Sequence, residues 1–261
     1  MDAQGYWTRW HDNAERCGVA SSVVDEITRR YGISPASFRV LDALTEVRDP
    51  DGKSFFVLPR GIAGQHAREA ALMTYVVNAG TGYGKAGDGP TDFPATPYAA
   101  AEVARIAKRQ NDNHWTYGRD VGFVHRNGGR LASTPNGILI GLGGNWIQRL
   151  FSARAGTTWG DIFMVNVGGV PDGEDQLRRI VRSGRAWYAD RDGTPRPSGL
   201  ALDRVLHHEE RHCRQWADRG YLGMLSGYGR ELLRELSLGV VNKFEEEAGL
   251  ADGGYRRACT P

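Results

Sequence analysis

The chain has 261 residues, of which 40% are hydrophobic and 25% charged, a balance that excludes fibrous, collagenous and wholly disordered classes. With 33 basic and 31 acidic residues the formal net charge is +2, which removes the electrostatic case for a dedicated nucleic-acid binder. Cys17, Cys213 and Cys259 make neither a disulfide framework nor a CxxC pair, so reduced, buried thiols are expected. No run of 18 apolar residues predicts a membrane span. Residues 1–10 lack the basic start and apolar stretch of a signal peptide, which leaves the cytoplasm, export by another route, or a piece of a longer chain.

Taken in chain order, a helix is expected over 19–30, with Val23, Val24, Ile27 and Tyr31 on one side and Gly32 as its stop. Ser34-Pro35 opens a second helix carrying Phe38, Val40, Leu41 and Leu44. The turn Asp49-Pro50-Asp51-Gly52 precedes a strand over 54–58, and a third helix covers 66–77. Residues 80–94, rich in Gly, Pro and Asp, read as a linker or a surface loop. A coarse boundary is placed there, giving a helical N-terminal region over 1–95 and a second region over 96–261, with one undivided domain as the alternative. Beyond it come a helix over 98–110 and strands over 121–124, 138–142 and 161–167, with Asn127-Gly128-Gly129 and Asn136-Gly137 as turns. A helix over 175–183, a strand over 186–190, a helix over 202–219 stopped by Gly220, and tail helices over 230–238 and 243–250 complete an α+β chain with a small mixed sheet.

Chemistry concentrates at His208-Glu209-Glu210-Arg211-His212, an H-E-x-x-H pattern inside the helix over 202–219. Residues four apart lie one helical turn apart, so both imidazoles can reach one cation. Glu209 is turned about 100° from His208, awkward for ligation but suited to touch a water on the metal. Zinc fits neutral imidazoles, and it lowers the pKa of a bound water from about 15.7 towards 7, so that a carboxylate can take the proton. Val205, His208, Glu209, His212, Cys213 and Trp216 share a broad stripe that otherwise reads as buried, where unpaired polar groups cost about 1–3 kcal/mol each. The competing reading makes Glu209, Glu210 and Arg211 solvated charges and the histidines hydrogen-bonded core residues.

This segment resembles the active-site helix of the zincin metallopeptidases. The resemblance implies a zincin-like catalytic region, with His208 and His212 as zinc ligands, Glu209 as general base, and hydrolysis of a protein or peptide substrate. Gln215 and Trp216 are similar to residues of toxin-type or effector-type zincin domains. The metzincin continuation, Gly and His at three and six residues after the second histidine, is absent, because Gln215 and Asp218 stand there. The gluzincin branch takes a glutamate from a later helix, and Glu245, Glu246 and Glu247 lie 33 to 35 residues after His212. Glu245 is preferred because Asn242-x-x-Glu245-x-x-Ala248 resembles the third-ligand helix of gluzincin-like domains. The alternative is a capping box formed by Asn242 and Glu245. Where thermolysin-like chains carry an Asp to orient a ligand histidine, this chain has Gly249, and Asp252 is the nearest replacement.

Zincins bind extended peptide along a sheet edge, for which residues 160–166 are the candidate, against a plain core strand. Tyr221, Tyr228 and Tyr255 are candidates to steady an oxyanion; Tyr228, after Ser226-Gly227, is taken as the catalytic tyrosine. His207 points away from His208, as a supporting or exposed residue, while His11, His66, His114 and His125 read as structural. The one GxGxxG, from Gly82 to Gly87, is followed at once by Gly89-Pro90, which favours a plain loop over a dinucleotide site. P-loop and G-x-S-x-G patterns are absent, and Cys213 cannot form a dyad with its helix neighbour His212. The expected function is therefore zinc-dependent endopeptidase, with a zincin-fold effector or interaction module of little or no catalysis as the alternative.

Overall fold

The computed structural model describes residues 1–84, 89–144, 156–168, 170–190, 192–238 and 240–255. Cys259 and the Lys85-Ala86-Gly87 part of the glycine-rich motif lie outside the described residues. Helix α1 (Ala3–Arg16) is capped by Asp2, whose side chain accepts from Gly5 N, and it buries Tyr6, Trp10, Asn13 and Ala14 at helical spacing. Helix α2 (Ser21–Tyr31) ends at Gly32, a 3-10 turn (Pro35–Phe38) leads into α3 (Arg39–Asp42), and strands β1 (Thr45–Arg48) and β2 (Ser54–Val57) form a hairpin. Asp49 holds that hairpin's turn by accepting from the amides of Asp51 and Lys53.

Helices α4 (Gly64–Asn78), α5 (Ala100–Asp112) and α6 (Val121–Arg126) precede strands β3 (Gly129–Ser133), β4 (Leu139–Gly143), β5 (Gly156–Trp159) and β6 (Ile162–Val165). Among the described residues, these strands and the first hairpin make one sheet in the order β1-β2-β3-β4-β6-β5, antiparallel except for the parallel β4–β6 pair. Helix α7 (Gly173–Ser183), the hairpin of β7 (Arg185–Ala189) and β8 (Pro195–Ala201), the long helix α8 (Leu202–Leu238) and the short α9 (Lys243–Ala248) follow.

Alternation along the strands assigns the two faces of the sheet. Phe56, Leu131, Leu139, Ile162 and Met164 pack with α1, α2, α4 and α5. Phe55, Val57, Ala132, Ile140, Leu142, Phe163 and Val165 pack instead with Leu177, Ile180 and Val181 of α7 and Val205, Leu206 and Cys213 of α8. The sheet is thus a middle layer, and the helix carrying His208 lies across its second face.

Three expectations change. Residues 121–124 are helical, not a strand: a π-helical turn (Thr116–Asp120) runs into α6, and spacing by three puts Val121 and Val124 together in the core. Residue 95 is no packing boundary, since β2 pairs with β3 across it and one core joins Tyr6 to Met164. Residues 160–166 do not form a sheet edge, because β6 lies between β4 and β5; the edge strand at that end of the sheet is β5. Gly220 stops the first arm of α8 as expected: its φ of 68° and ψ of 167° are non-helical, and a second helical arm starts beyond it. No helix among the described residues is long and apolar enough to cross a membrane.

Candidate metal centre

One turn of the first arm of α8 places His208 and His212 on a common face, and α9 brings Glu245 against them; all three are buried. The Nε2 atoms of the two histidines are 3.1 Å apart, and Glu245 Oε2 lies 3.3 Å from each. Their outer nitrogens fix the tautomers. His208 Nδ1 donates to Gly249 O at 2.9 Å, and that carbonyl can only accept. Gln215 Nε2 donates to Phe244 O at 3.0 Å, which turns Gln215 Oε1 to accept from His212 Nδ1 at 2.8 Å. Both Nε2 lone pairs therefore converge on the same point as a carboxylate oxygen. Three acceptors this close repel one another unless a cation or a proton sits among them. Ligand atoms at about 2.0–2.1 Å from a tetrahedral ion lie about 3.3–3.4 Å from each other, so the observed spacing fits such an ion. The triad can hold a metal ion.

In the proton-bound form, burial disfavours a charged His212, but the hydrogen bond and charge of Glu245 outweigh it and push His212 up to about 9. The two histidines reciprocally hold the Glu245 carboxyl well below the usual range, against the cost of burial. The capping alternative for Glu245 is settled by geometry. Asn242 caps α9 by accepting from Phe244 N at 2.9 Å, while the Glu245 carboxylate turns to the histidines. Glu246 and Glu247 are exposed, and Glu247 pairs with Gln215 and Arg219.

Glu209 sits beside the triad, partly exposed, with Oε2 accepting from Thr158 Oγ1 of the edge strand at 2.6 Å. Thr158 is held in turn by Trp216 Nε1, which donates to its carbonyl at 2.9 Å. Tyr228 packs its ring 5.8 Å from Phe244 and lies near enough to act electrostatically on Tyr255. Tyr255 meets the triad itself, with its ring 6.1 Å from His208 and its hydroxyl bonded to Glu245; both tyrosines are partly open to solvent, at 38% and 40%. Enclosure of its hydroxyl, though the ring as a whole is exposed, and the negative charge of Glu245 raise the Tyr255 phenol above its ordinary range, so it remains a proton donor.

The other faces of the helix explain its remaining polar residues. Glu210 is no solvated charge: Arg105, Arg109 and Arg214 surround it, and Arg109 also binds Asp161 at 3.0 Å. Those guanidiniums hold its carboxyl well below the ordinary range despite burial. Arg211 lies 3.6 Å over the Phe93 ring and donates to Glu247 O. His207 is buried and stacks on Tyr83 with ring centroids 3.7 Å apart, which excludes the exposed alternative. Cys213 is fully buried, and burial pushes its thiol up, as expected of an inert core cysteine.

Asp252 does not orient a histidine directly. It accepts from Arg204 Nε at 2.9 Å and from the Tyr83 hydroxyl, while backbone at Gly249 orients His208. Two signals of this backing were present in the sequence as glycines. A Cβ at Gly253 would stand 2.6 Å from His208 Cε1, and Gly249 has φ +103° with a Cβ position 2.7 Å from the Phe93 ring. Comparison with family models, with curated proteins and with solved structures found no match to this chain.

Proposed function

We propose that this protein is a zinc-dependent hydrolase that cleaves peptide bonds. The observation that carries the reading is the convergence of His208 Nε2, His212 Nε2 and Glu245 Oε2, unprotonated by tautomer, at 3.1–3.3 Å from one another beside a partly exposed carboxylate. Two imidazoles and one carboxylate are the donor set of catalytic zinc, with a position left for substrate or water. When bound, zinc supplies a Lewis acid that polarises a carbonyl and makes water acidic enough to attack near neutral pH.

The chain's own residues supply the proton handling. Thr158 holds Glu209 Oε2, which aims the carboxylate and leaves Oε1 to take the proton from the attacking water. Glu209 then delivers that proton to the leaving amine. Tyr255, kept protonated, donates a hydrogen bond to the oxygen on which negative charge develops. Gly249 and Gln215 hold both imidazoles in the tautomer that presents Nε2.

The test pairs elemental mass spectrometry of the purified protein with cleavage of a fluorogenic peptide library. About one zinc per chain is expected, absent from the His208→Ala/His212→Ala double variant. Glu209→Gln is expected to keep the zinc and lose about 10²–10⁴-fold in hydrolysis. Full activity in Glu209→Gln would sink the mechanism. Bound zinc with no cleavage of any library member would move the reading to a zinc-stabilised binding module.

A further inference from the structure

The segment 249–255 touches the triad three times. Gly249 O accepts from His208 Nδ1, Gly253 lies against the His208 imidazole, and the Tyr255 hydroxyl bonds Glu245. This stretch contains helical turns rather than a regular element, so its position depends on what holds it from behind. Asp252 does so, fully buried and with no contact to the triad of its own. Its Oδ1 accepts from Arg204 Nε at 2.9 Å, and its Oδ2 accepts from the Tyr83 hydroxyl and, at 3.3 Å, from Asp92 N. Its own amide donates to Asp92 Oδ2 at 2.8 Å, and Arg204 Nη2 reaches Pro90 O at 2.9 Å.

The partners come from three places: the first turn of α8, the glycine-rich loop at Tyr83, and residues 90–92. Burial and the bond to Asp252 push the Tyr83 phenol up to about 12, so its hydroxyl remains the donor in that bond. Gly253 N also donates to Gly249 O at 3.0 Å, so the carbonyl that orients His208 is tied to the residue next to Asp252.

We infer that Asp252, with Tyr83 and Arg204, is a positioning residue for the metal centre: it latches segment 249–255 so that the Gly249 carbonyl sets the tautomer and ring orientation of His208. A carboxylate that elsewhere would contact the histidine here acts through backbone, one residue further out. Tyr83 and residues 90–92, from the stretch that could be read as a linker, are accordingly part of the site's support. The inference rests on the metal reading above.

Two variants test it. Asp252→Ala removes the latch, and Tyr83→Phe removes one hydroxyl while preserving the stack on His207. Zinc affinity, measured by competition with a chromophoric chelator, is expected to weaken 10–100-fold in Asp252→Ala and by a smaller factor in Tyr83→Phe. The visible spectrum of the cobalt-substituted protein is expected to shift in both. Ile27→Ala, which hollows the core on the opposite face of the sheet, serves as the control. It should lower the melting temperature without moving the affinity or the spectrum. Should Asp252→Ala fail to fold, Tyr83→Phe carries the test alone. Wild-type affinity and spectrum in the folded variants would overturn the latch while leaving the metal reading intact. Wild-type protein that takes up no zinc would overturn both.

Discussion

The two faces of the sheet are held by different forces. Helices α1, α2 and α4 join the first face mainly by apolar burial, with Trp10, Ile27, Phe38, Leu41 and Val76 almost fully enclosed, while α5 buries Ile106 there and sends Arg105 and Arg109 to Glu210 of α8. The first arm of α8 also contributes Leu202, Leu206 and Cys213 to the second face, but its outer sides are fastened by buried ions and hydrogen bonds. Apolar burial is additive and non-directional, so it sets how stable a region is without setting the direction of any one atom. A metal centre needs direction. Glu210 with its three arginines, on the side of the helix turned away from the histidines, and Asp252 with Arg204 and Tyr83, behind segment 249–255, supply it.

Substitutions of equal cost should therefore separate the two faces. Phe38→Ala removes a fully buried ring and is expected to cost about 3–5 kcal/mol. Glu210→Ala leaves Arg105, Arg109 and Arg214 without their shared carboxylate and is expected to cost a similar 3–5 kcal/mol. Denaturant unfolding measures both. Zinc affinity tells them apart: it should hold in Phe38→Ala and weaken in Glu210→Ala. Equal weakening in the two would show that the centre reports overall stability and not local pinning.

Metal itself is expected to contribute somewhat less. Zinc at about 100 times its dissociation constant should stabilise the folded chain by about 2.7 kcal/mol, visible as a higher melting temperature that a chelator reverses. Phe38→Ala protein should gain the same increment, because its centre is intact. The His208→Ala/His212→Ala variant should gain none, and an equal gain there would place the zinc elsewhere.

What could be read from the sequence divides along the same line. The histidine pair was legible because i and i+4 on a helix is a local relation, whereas Glu245 was singled out from Glu246 and Glu247 by the resemblance of Asn242-x-x-Glu245-x-x-Ala248 to a third-ligand helix, against the cap that Asn242 also offered. Helix α1 was missed. Its buried face of Tyr6, Trp10, Asn13 and Ala14 mixes polar and aromatic types, which blurs the periodic signal although Asp2 is a sound cap. The strand β5, which carries Thr158 to Glu209, is a four-residue Gly-Thr-Thr-Trp stretch with no alternation of its own. Glu210 could be read from the sequence as a solvated helix charge, because Arg105 and Arg109 reach it from more than 100 positions away. Tyr255 and Tyr228 were separable only by where segment 249–255 folds back, which depends on the remote contacts of Asp252.

Acid should distinguish the faces most finely. His125, on α6 against the apolar face, is buried with neither ring nitrogen partnered among the described residues. Burial first, and then the nearby Arg130 and Arg60, lower it from the ordinary 6.5 to about 4. The unfolded chain thus binds the proton between those values while the folded chain does not, so stability is complete above about pH 6.5 and falls as pH drops towards 4. The loss should be on the order of 2 kcal/mol, allowing for water that reaches a charged ring. Glu210 behaves oppositely in origin: its carboxyl is depressed, so its contribution persists down to the ordinary carboxylate range and is lost only in stronger acid. His125→Phe should make the limb between pH 6.5 and 4 shallower in urea-unfolding free energies, leaving the share of His207, which burial also lowers to about 4, and the limb below it. A limb unchanged by that substitution would mean that His125 is charged or solvated in the folded chain.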